Sequence, residues 1–159
     1  WDELGGSEYF QTHGLIGNNV PRVDPRRAKA LMDKLSAAME DGLVRACHDC
    51  SEGGIGVAVA EMAFAGWLGA AIRLKAIPLG ESVDRDDFIL FSESNSRFLV
   101  EVASENRAEF EKVMARIDLA VIGEVTDGEV LEIYGVKDEK KVAASIGELK
   151  EAWQRPLRW

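Results

Sequence analysis

The chain has 159 residues, of which 47% are hydrophobic and 30% charged, and its formal net charge is −9. This length and apolar content fit one folded domain and exclude a disordered chain. The acidic balance argues against nucleic acid as a partner, because phosphate neutralisation requires clustered lysine and arginine. No apolar run reaches membrane-spanning length and no basic-then-apolar signal opens the chain, so we expect no membrane partner either.

The chain starts at Trp1 rather than at a methionine, and we therefore expect it to be a piece of a longer protein. Residues 1–23 are rich in glycine, asparagine and proline without a sustained period, which predicts a connector from a preceding ATP-binding-type domain. Residues 24–159 are predicted to form the domain itself.

Helix and strand signals follow one another through the predicted domain. Asp24 followed by Pro25 is typical of a helix start, and apolar residues at helical spacing predict a helix over 25–41. The remaining predicted elements are, in chain order, a strand over 43–49, a helix over 55–66, a strand over 69–79, a short helix over 82–91, a turn over 92–96, a strand over 97–103, a helix over 104–117 with Ser104 as its N-cap, a hairpin at Asp127 and Gly128, and a closing helix over 140–154. This mixture predicts an α/β (α+β) layered sandwich, with a mixed β-sheet flanked by helices.

Cys47 and Cys50 form a C-x-x-C pair at the end of a predicted strand. That spacing is redox-active in thioredoxin-like proteins, and a zinc site would need two more ligands, for which His13 and His48 are the remaining soft candidates. Residues three apart on a strand face opposite sides, so two ordinary reduced thiols are favoured. Reduced thiols suit a cytoplasmic location.

The stretch "HDCSEGG" joins a strand to a helix. A helix N-terminus offers unpaired N–H groups and a partial positive charge, and Gly53 and Gly54 let an anion approach the backbone. Ser51 adds a hydroxyl, and Asp49 and Glu52 supply the hard oxygens that Mg²⁺ takes beside a phosphate. The residues fit a nucleotide or phosphate site with Asp49 as metal ligand. They fit equally a plain turn in which Ser51 caps the helix, Asp49 binds a backbone amide and the glycines only form the bend.

His48 is a candidate general base, but a histidine at a strand end is more often structural. A nucleophilic Cys50 with His48 as its base stays open as a less favoured alternative. Glu61 is the single charged side chain in an otherwise apolar helix, and we expect it to pair with Arg73, because a buried carboxylate needs a partner.

The stretch "LFSESNSRFLVEV" places six consecutive polar side chains between an apolar run and a strand. Such a cluster can hold a polyhydroxylated, phosphorylated ligand through short hydrogen bonds, with Glu93, Ser94 and Asn95 as candidate contacts. The alternative is a simple turn in which Arg97 pairs with Glu93.

The stretches "HDCSEGGIGVAVAEMAFAGWLGAAI" and "LFSESNSRFLVEV", in this order and spacing, resemble phosphoribosylformylglycinamidine synthase. The resemblance is to the C-terminal, aminoimidazole ribonucleotide synthetase-type domain of the second half of that enzyme. It covers essentially the whole chain, and "LGGSEYF" resembles the join from the preceding domain. Aminoimidazole ribonucleotide synthetase, hydrogenase-maturation proteins, selenophosphate synthetase and thiamine-phosphate kinase share this domain type.

The resemblance implies an ATP-dependent carbon–nitrogen ligase of purine biosynthesis. The family converts formylglycinamide ribonucleotide, ATP and glutamine-derived ammonia to formylglycinamidine ribonucleotide, with Mg²⁺ and ATP/ADP as cofactors. The implied partners are the preceding domains of the same chain, a glutaminase subunit and a small accessory subunit. The domain alone is expected to be inactive.

The resemblance also implies roles for individual residues. Asp49 would coordinate Mg²⁺ and Ser51 would contact nucleotide phosphates, while Glu93 and Asn95 sit where the first-half copy of the motif contacts the ribonucleotide substrate. The catalytic histidine of the family lies in the first half, so no catalytic residue is assigned in this chain. The alternatives are a structural or subunit-docking domain without ligand, and a related ATP-dependent enzyme of the hydrogenase-maturation or thiamine-phosphate kinase type.

Overall fold

Helices and strands are interspersed along the chain in the computed structural model, which describes residues 1–157. The helices in those residues are α1 (Glu8–Thr12), α2 (Pro25–Glu40), α3 (Gly54–Gly66), α4 (Asp86–Phe91), α5 (Arg107–Val113) and α6 (Ile146–Gln154). The strands are β1 (Ala46–Asp49), β2 (Gly69–Arg73), β3 (Phe98–Glu101), β4 (Gly123–Thr126), β5 (Val130–Tyr134) and β6 (Lys140–Ser145). Short 3-10 helices cover Leu74–Ala76, Ser104–Asn106 and Arg155–Leu157.

The strands form two sheets. β1 and β3 make an antiparallel pair in which Cys47 lies opposite Val100. The larger sheet has the order β4-β2-β5-β6, and β2 runs antiparallel to β4 but parallel to β5. The predicted α/β class with a mixed sheet and flanking helices is therefore confirmed.

The two sheets contribute to separate hydrophobic clusters. The larger cluster lies between the four-stranded sheet and α3, α4 and α6, and includes Leu74, Leu131 and Ile146, none of them more than 1% exposed. A second cluster joins α2 and α5 to β1 and β3. β3 contributes to both, because Phe98 packs in the second cluster and its neighbour Leu99 packs against the first. This placement follows from the alternation of side chains along a strand.

The predicted start of α2 and the predicted end of α3 are both confirmed. The Asp24 side chain accepts hydrogen bonds from the amides of Arg26 (2.9 Å) and Arg27 (3.2 Å), and Pro25 occupies the first turn of α2. α3 ends at Gly66, as predicted. A capping carboxylate and an N-terminal proline act locally, so the sequence is sufficient to place them.

The predicted hairpin at Asp127 and Gly128 is wrong. β4 and β5 flank this turn but do not pair with each other, because β2 lies between them. The Gly69 amide donates to the Gly128 carbonyl at 2.5 Å, so β2 starts at the turn and runs between the two strands. Buried Gly69 and Ala70 suit the middle of a sheet, where neighbouring backbones come close.

Three further element predictions need correction. Residues 140–145 form strand β6 rather than the first turns of a helix, because pairing with β5 overrides their local helical tendency. Helix α6 begins after Ser145, whose side chain and that of Glu148 form a capping box. Ser104 does not cap a helix; a 3-10 turn begins there without a side-chain cap. The strand predicted over 69–79 ends at Arg73, where a 3-10 turn follows.

The N-terminal segment packs against α4 and the residues that follow it. Leu4 and Ser7 are each 1% exposed, and the Glu93 amide donates to the Glu3 carbonyl at 3.1 Å. Tyr9 stacks on Phe91 with ring centroids 4.8 Å apart. The division of the chain into a connector and a domain at residue 23 stays a prediction. Among residues 1–157, no helix has the length and apolar character needed to cross a membrane.

Candidate functional site

The turn between β1 and α3 takes its shape from two glycines. Gly53 is the N-cap of α3 with φ +73°, and Gly54 has φ +61°. A Cβ atom on Gly54 would lie 2.3 Å from the Ser92 carbonyl oxygen, and one on Gly53 would lie 2.2 Å from a methyl carbon of Val57. The backbone itself therefore requires both glycines, whether or not an anion binds there.

Asp49 and Ser51 lie together on the exposed side of this turn. The Ser51 hydroxyl donates to the Asp49 carboxylate, and this hydrogen bond holds the pKa of Asp49 below its ordinary value. Ser51 does not cap α3, because the N-cap is Gly53 and no side-chain hydrogen bond caps the helix. An ionised carboxylate beside a hydroxyl is thus presented to solvent next to the N-terminus of α3.

These residues fit a magnesium ion carried by a nucleotide, rather than a metal held by protein alone. Within residues 1–157, no three histidine, cysteine, aspartate or glutamate side chains are arranged to hold a metal. Asp49 offers a charged oxygen and exposed Glu52 lies three residues further along the turn. Mg²⁺ is commonly bound by one or two carboxylates with phosphates and water as its other ligands, and this donor set matches that pattern.

The Glu93 carboxylate reaches the same turn from the other motif. Its Oε1 atom accepts hydrogen bonds from the Gly53 amide at 2.9 Å and from the Glu8 amide at 3.0 Å. Glu93 therefore contacts the backbone at the start of both α3 and α1. The sequence offered no signal for this bridge, because 40 and 85 residues separate the partners.

Ser94 and Asn95 lie on a cleft rather than on the glycine turn. They line a broad cleft of about 2090 Å³ that runs between the two sheets and along one face of α3. In the described part of the chain, Asp49, the residues of the glycine turn and Glu93 do not line this cleft. Ser94 is 2% exposed and its hydroxyl has no hydrogen-bond partner among residues 1–157, whereas Asn95 is exposed. The structure thus divides the predicted site residues into a turn group with Glu93 and a cleft group.

Arg97 fixes the polar stretch in place. Its guanidinium donates to the carbonyl oxygen of Ser92 and, at 2.9 Å, to that of Ser94. The backbone carbonyl of Arg97 accepts from the Cys50 amide at 2.9 Å. Burial lowers the pKa of Arg97. The alternative pairing of Arg97 with Glu93 is therefore wrong, since the guanidinium bonds to backbone carbonyls and Glu93 bonds to backbone amides.

Glu61 pairs with partners other than the one predicted. Its carboxylate lies 3.0 Å from His48 Nε2 and accepts a hydrogen bond from the Trp153 indole at 2.9 Å. Arg73 instead lies 3.5 Å from Asp138, so the predicted Glu61–Arg73 pair is wrong. The His48 Nδ1 atom lies 2.7 Å from the Asp49 carbonyl oxygen. Both ring nitrogens of His48 therefore have neighbours within the fold, as expected for a structural histidine.

The two cysteines are free thiols in different surroundings. Cys47 packs in the second hydrophobic cluster, whereas Cys50 packs with Ile55 and Ala58. Burial raises the pKa of Cys47, and it raises the pKa of Cys50 to about 11. An activated nucleophile requires a lowered pKa, so the Cys50–His48 nucleophile alternative loses its chemical basis.

We expect Cys50 to resist alkylation by iodoacetamide at pH 8, since a pKa of about 11 leaves roughly one thiolate in a thousand. The pKa of Cys50 in the folded state lies above its value in the unfolded state, so the native state holds the thiol proton more tightly. The free energy of unfolding should therefore fall as pH rises from about 9 towards 11. Mass-spectrometric fragmentation of the labelled peptide, which locates the label at Cys47 or at Cys50, measures the alkylation, with urea-unfolded chain as the reactive control. Rapid modification of Cys50 in the folded chain would contradict the burial described here.

A family model described as "AIR synthase related protein, C-terminal domain" matches residues 2–136. A phosphoribosylformylglycinamidine synthase subunit PurL from Deinococcus radiodurans is 35% identical over 158 residues, which is 99% of this chain and 21% of the relative. A PurL from Moorella thermoacetica is 47% identical over 108 residues, covering 67% of this chain and 14% of the relative. The chain thus spans about a fifth or less of the length of these curated relatives.

The fold matches solved structures of the same kind of protein. The Thermotoga maritima PurL complexed with FGAR superposes with a TM-score of 0.73 at 25% identity, over 82% of this chain and 22% of that chain. The same T. maritima protein has also been solved with ATP, with ADP and as the assembly PurLQS. A HypE–HypF complex superposes with a TM-score of 0.63 at 20% identity, which is a similarity of fold alone.

Proposed function

Because the chain belongs to the C-terminal domain family of AIR synthase related proteins, we propose that it is one domain of a phosphoribosylformylglycinamidine synthase. The parent enzyme would be the ATP-dependent ligase that converts formylglycinamide ribonucleotide and ammonia to formylglycinamidine ribonucleotide. The observation that carries this proposal is the 35% identity to the D. radiodurans PurL over 99% of the chain. We assign the chain to the second half of the enzyme, on the resemblance of its two motifs.

The role proposed for this domain is a nucleotide–Mg²⁺ or phosphate site at the glycine turn. Asp49 would supply the metal ligand, and Ser51, Glu52, Gly53 and Gly54 would surround the phosphates. A bound Mg²⁺ ion would offset the negative charge of the phosphates. The exposure of the Asp49 carboxylate beside the Ser51 hydroxyl supports this role, because the carboxylate is accessible to a metal ion at the turn. No residue of the chain is assigned a catalytic step, and Ser94 and Asn95 are proposed as ligand contacts in the cleft.

The partners follow from the same assignment. We propose that the domain works with the preceding domains of its own chain, with a glutaminase subunit and with a small accessory subunit, in the cytoplasm. The name of the T. maritima assembly PurLQS supports a multi-subunit arrangement. We expect the domain to be inactive by itself, since it spans about a fifth of the relatives it matches.

A structural or subunit-docking domain is the second candidate function. The observation in its favour is that positive φ angles and close packing explain both glycines without a ligand. A hydrogenase-maturation role has weaker support, because the HypE–HypF similarity is one of fold.

The proposal is tested by ADP release from the synthetase chain that contains this domain, supplied with formylglycinamide ribonucleotide, ATP and ammonium. We expect ADP release to depend on the ribonucleotide, and expect this 159-residue chain alone to release none. Turnover without dependence on formylglycinamide ribonucleotide would assign the chain to another ATP-dependent enzyme. ADP release by the isolated chain would contradict its proposed status as a non-autonomous domain.

A further inference from the structure

We propose that Glu93 is a positioning residue for the glycine turn, which acts through the Gly53 amide and couples the N-terminal segment to that turn. The proposal replaces the role of ligand contact that the motif alone suggested for Glu93. Its importance for ligand binding rests on the function proposed above for the turn.

One carboxylate oxygen of Glu93 bonds to the start of two helices. Glu93 Oε1 accepts from the amide of Gly53, the N-cap of α3, and from the amide of Glu8, the first residue of α1. Gly53 has no side chain with which to cap α3, so Glu93 provides a carboxylate from a distant part of the chain. A negative charge near a helix N-terminus is favourable, and hydrogen bonds to a charged acceptor are stronger than neutral ones.

The N-terminal segment is attached to the chain at Glu93. The Glu93 amide donates to the Glu3 carbonyl, so this residue bonds to the segment through both its backbone and its side chain. Tyr9 stacks on Phe91 and its hydroxyl donates to Asp87 at 2.7 Å. Because the segment is bonded to both the backbone and the side chain of Glu93, a displacement of the segment would move Glu93 and change the bond to Gly53.

The Gly53 amide already has a hydrogen-bond partner in Glu93. A phosphate at the turn would have to use other donors, while Glu93 holds Gly53 in its left-handed conformation. Glu93 therefore sets the shape of the proposed site without touching its ligand. A change in the position of the residues preceding α1 would be transmitted to the proposed nucleotide site through the backbone and the side chain of Glu93.

Hydrogen exchange of individual amides, measured by NMR on the 159-residue chain, tests the coupling. We expect Glu93→Ala to speed exchange at both Gly53 and Glu8 about tenfold, relative to core amides of β5 that report global unfolding. Glu93→Gln keeps an acceptor oxygen and should stay within about threefold of the original rates. Glu109→Ala, which removes an exposed carboxylate of α5, should change neither amide.

A second variant removes the other end of the bridge. Glu8→Pro deletes the α1 donor at a first helical position that accepts proline, and Ser7 before it already has an extended backbone, with φ −70° and ψ 154°. We expect exchange at Gly53 to rise about threefold, since the carboxylate loses one of its two anchors. Unchanged exchange at Gly53 in Glu8→Pro, or a change at only one amide in Glu93→Ala, would overturn the coupling.

Titration of the parent synthetase with Mg·ADP separates this inference from the proposed function. If the turn binds nucleotide and Glu93 positions it, Glu93→Ala should weaken the binding of Mg·ADP about tenfold, and Glu93→Gln should largely restore it. If the original chain does not bind Mg·ADP, the proposed nucleotide site is contradicted. Faster amide exchange in Glu93→Ala would in that case still support the bridge that Glu93 forms between Gly53 and Glu8. Mg·ADP binding that weakens equally in the alanine and glutamine variants would assign Glu93 to the ligand and overturn the positioning role.

Discussion

Gly54→Ala is expected to lower the free energy of unfolding by about 3 kcal/mol or more, one of the two largest effects predicted for this chain. Gly54 has φ +61°, a conformation that an alanine adopts only with strain. The added Cβ would also meet the Ser92 carbonyl oxygen at 2.3 Å and the Leu90 carbonyl oxygen at 2.7 Å. Both neighbours are backbone atoms, which cannot rotate away as the end of a side chain could. Urea unfolding followed by circular dichroism measures the change.

Two other glycines separate the causes of this effect. Gly42 has φ +69° and open space where a Cβ would lie, so Gly42→Ala should cost only the conformational part, about 1–2 kcal/mol. Gly66 closes α3 with ordinary φ and open space, so Gly66→Ala should be neutral or stabilising by up to about 1 kcal/mol. A Gly54→Ala variant no less stable than Gly42→Ala would show that the close approach to Ser92 is absent.

Leu131→Ala is expected to lower the free energy of unfolding by about 2–5 kcal/mol. Leu131 is 1% exposed on β5 and belongs to the larger hydrophobic cluster with Leu74 and Ile146. Its truncation leaves a cavity between the sheet and the helices, because a packed core relaxes only in part. Chemical denaturation with an unchanged m-value would assign the loss to stability alone.

Val130 supplies the matched control on the same strand. It is 42% exposed and its side chain points away from the cluster that holds Leu131. Val130→Ala should cost less than about 1 kcal/mol, mostly through the lower strand preference of alanine. Equal losses for the two variants would contradict the register of β5 in the four-stranded sheet.

Local signals in the sequence were sufficient for much of the fold. The start of α2 at Asp24 and Pro25 and the end of α3 at Gly66 each depend on a few neighbouring residues. Predictions from the sequence were wrong where pairing between distant strands determines the structure. Nothing near Asp127 and Gly128 indicates that β2, from a much earlier part of the chain, would separate the flanking strands.

The candidate site divides along the same line. The glycine turn and the neighbouring Asp49 and Ser51 could be found from one contiguous stretch, because a strand-to-helix turn is a local structure. The role of Glu93 could not, since its partners lie 40 and 85 residues away. Glu61 is a similar case: its indole partner, Trp153, is 92 residues away. Glu61 is half-buried, and its carboxylate in an apolar helix indicates that a partner exists, but the topology decides which one it is.

The most direct test of the nucleotide site is the affinity of the parent synthetase for Mg·ADP, measured by calorimetry for the original chain and for Asp49→Ala. Asp33→Ala is the matched control, because this exposed aspartate pairs with Lys29 on α2, away from the turn. We predict that Asp49→Ala weakens binding about tenfold or more, through loss of a charged metal ligand, while Asp33→Ala leaves it unchanged. Equal affinity of the original chain and Asp49→Ala would contradict the proposed site and favour a docking role for this domain.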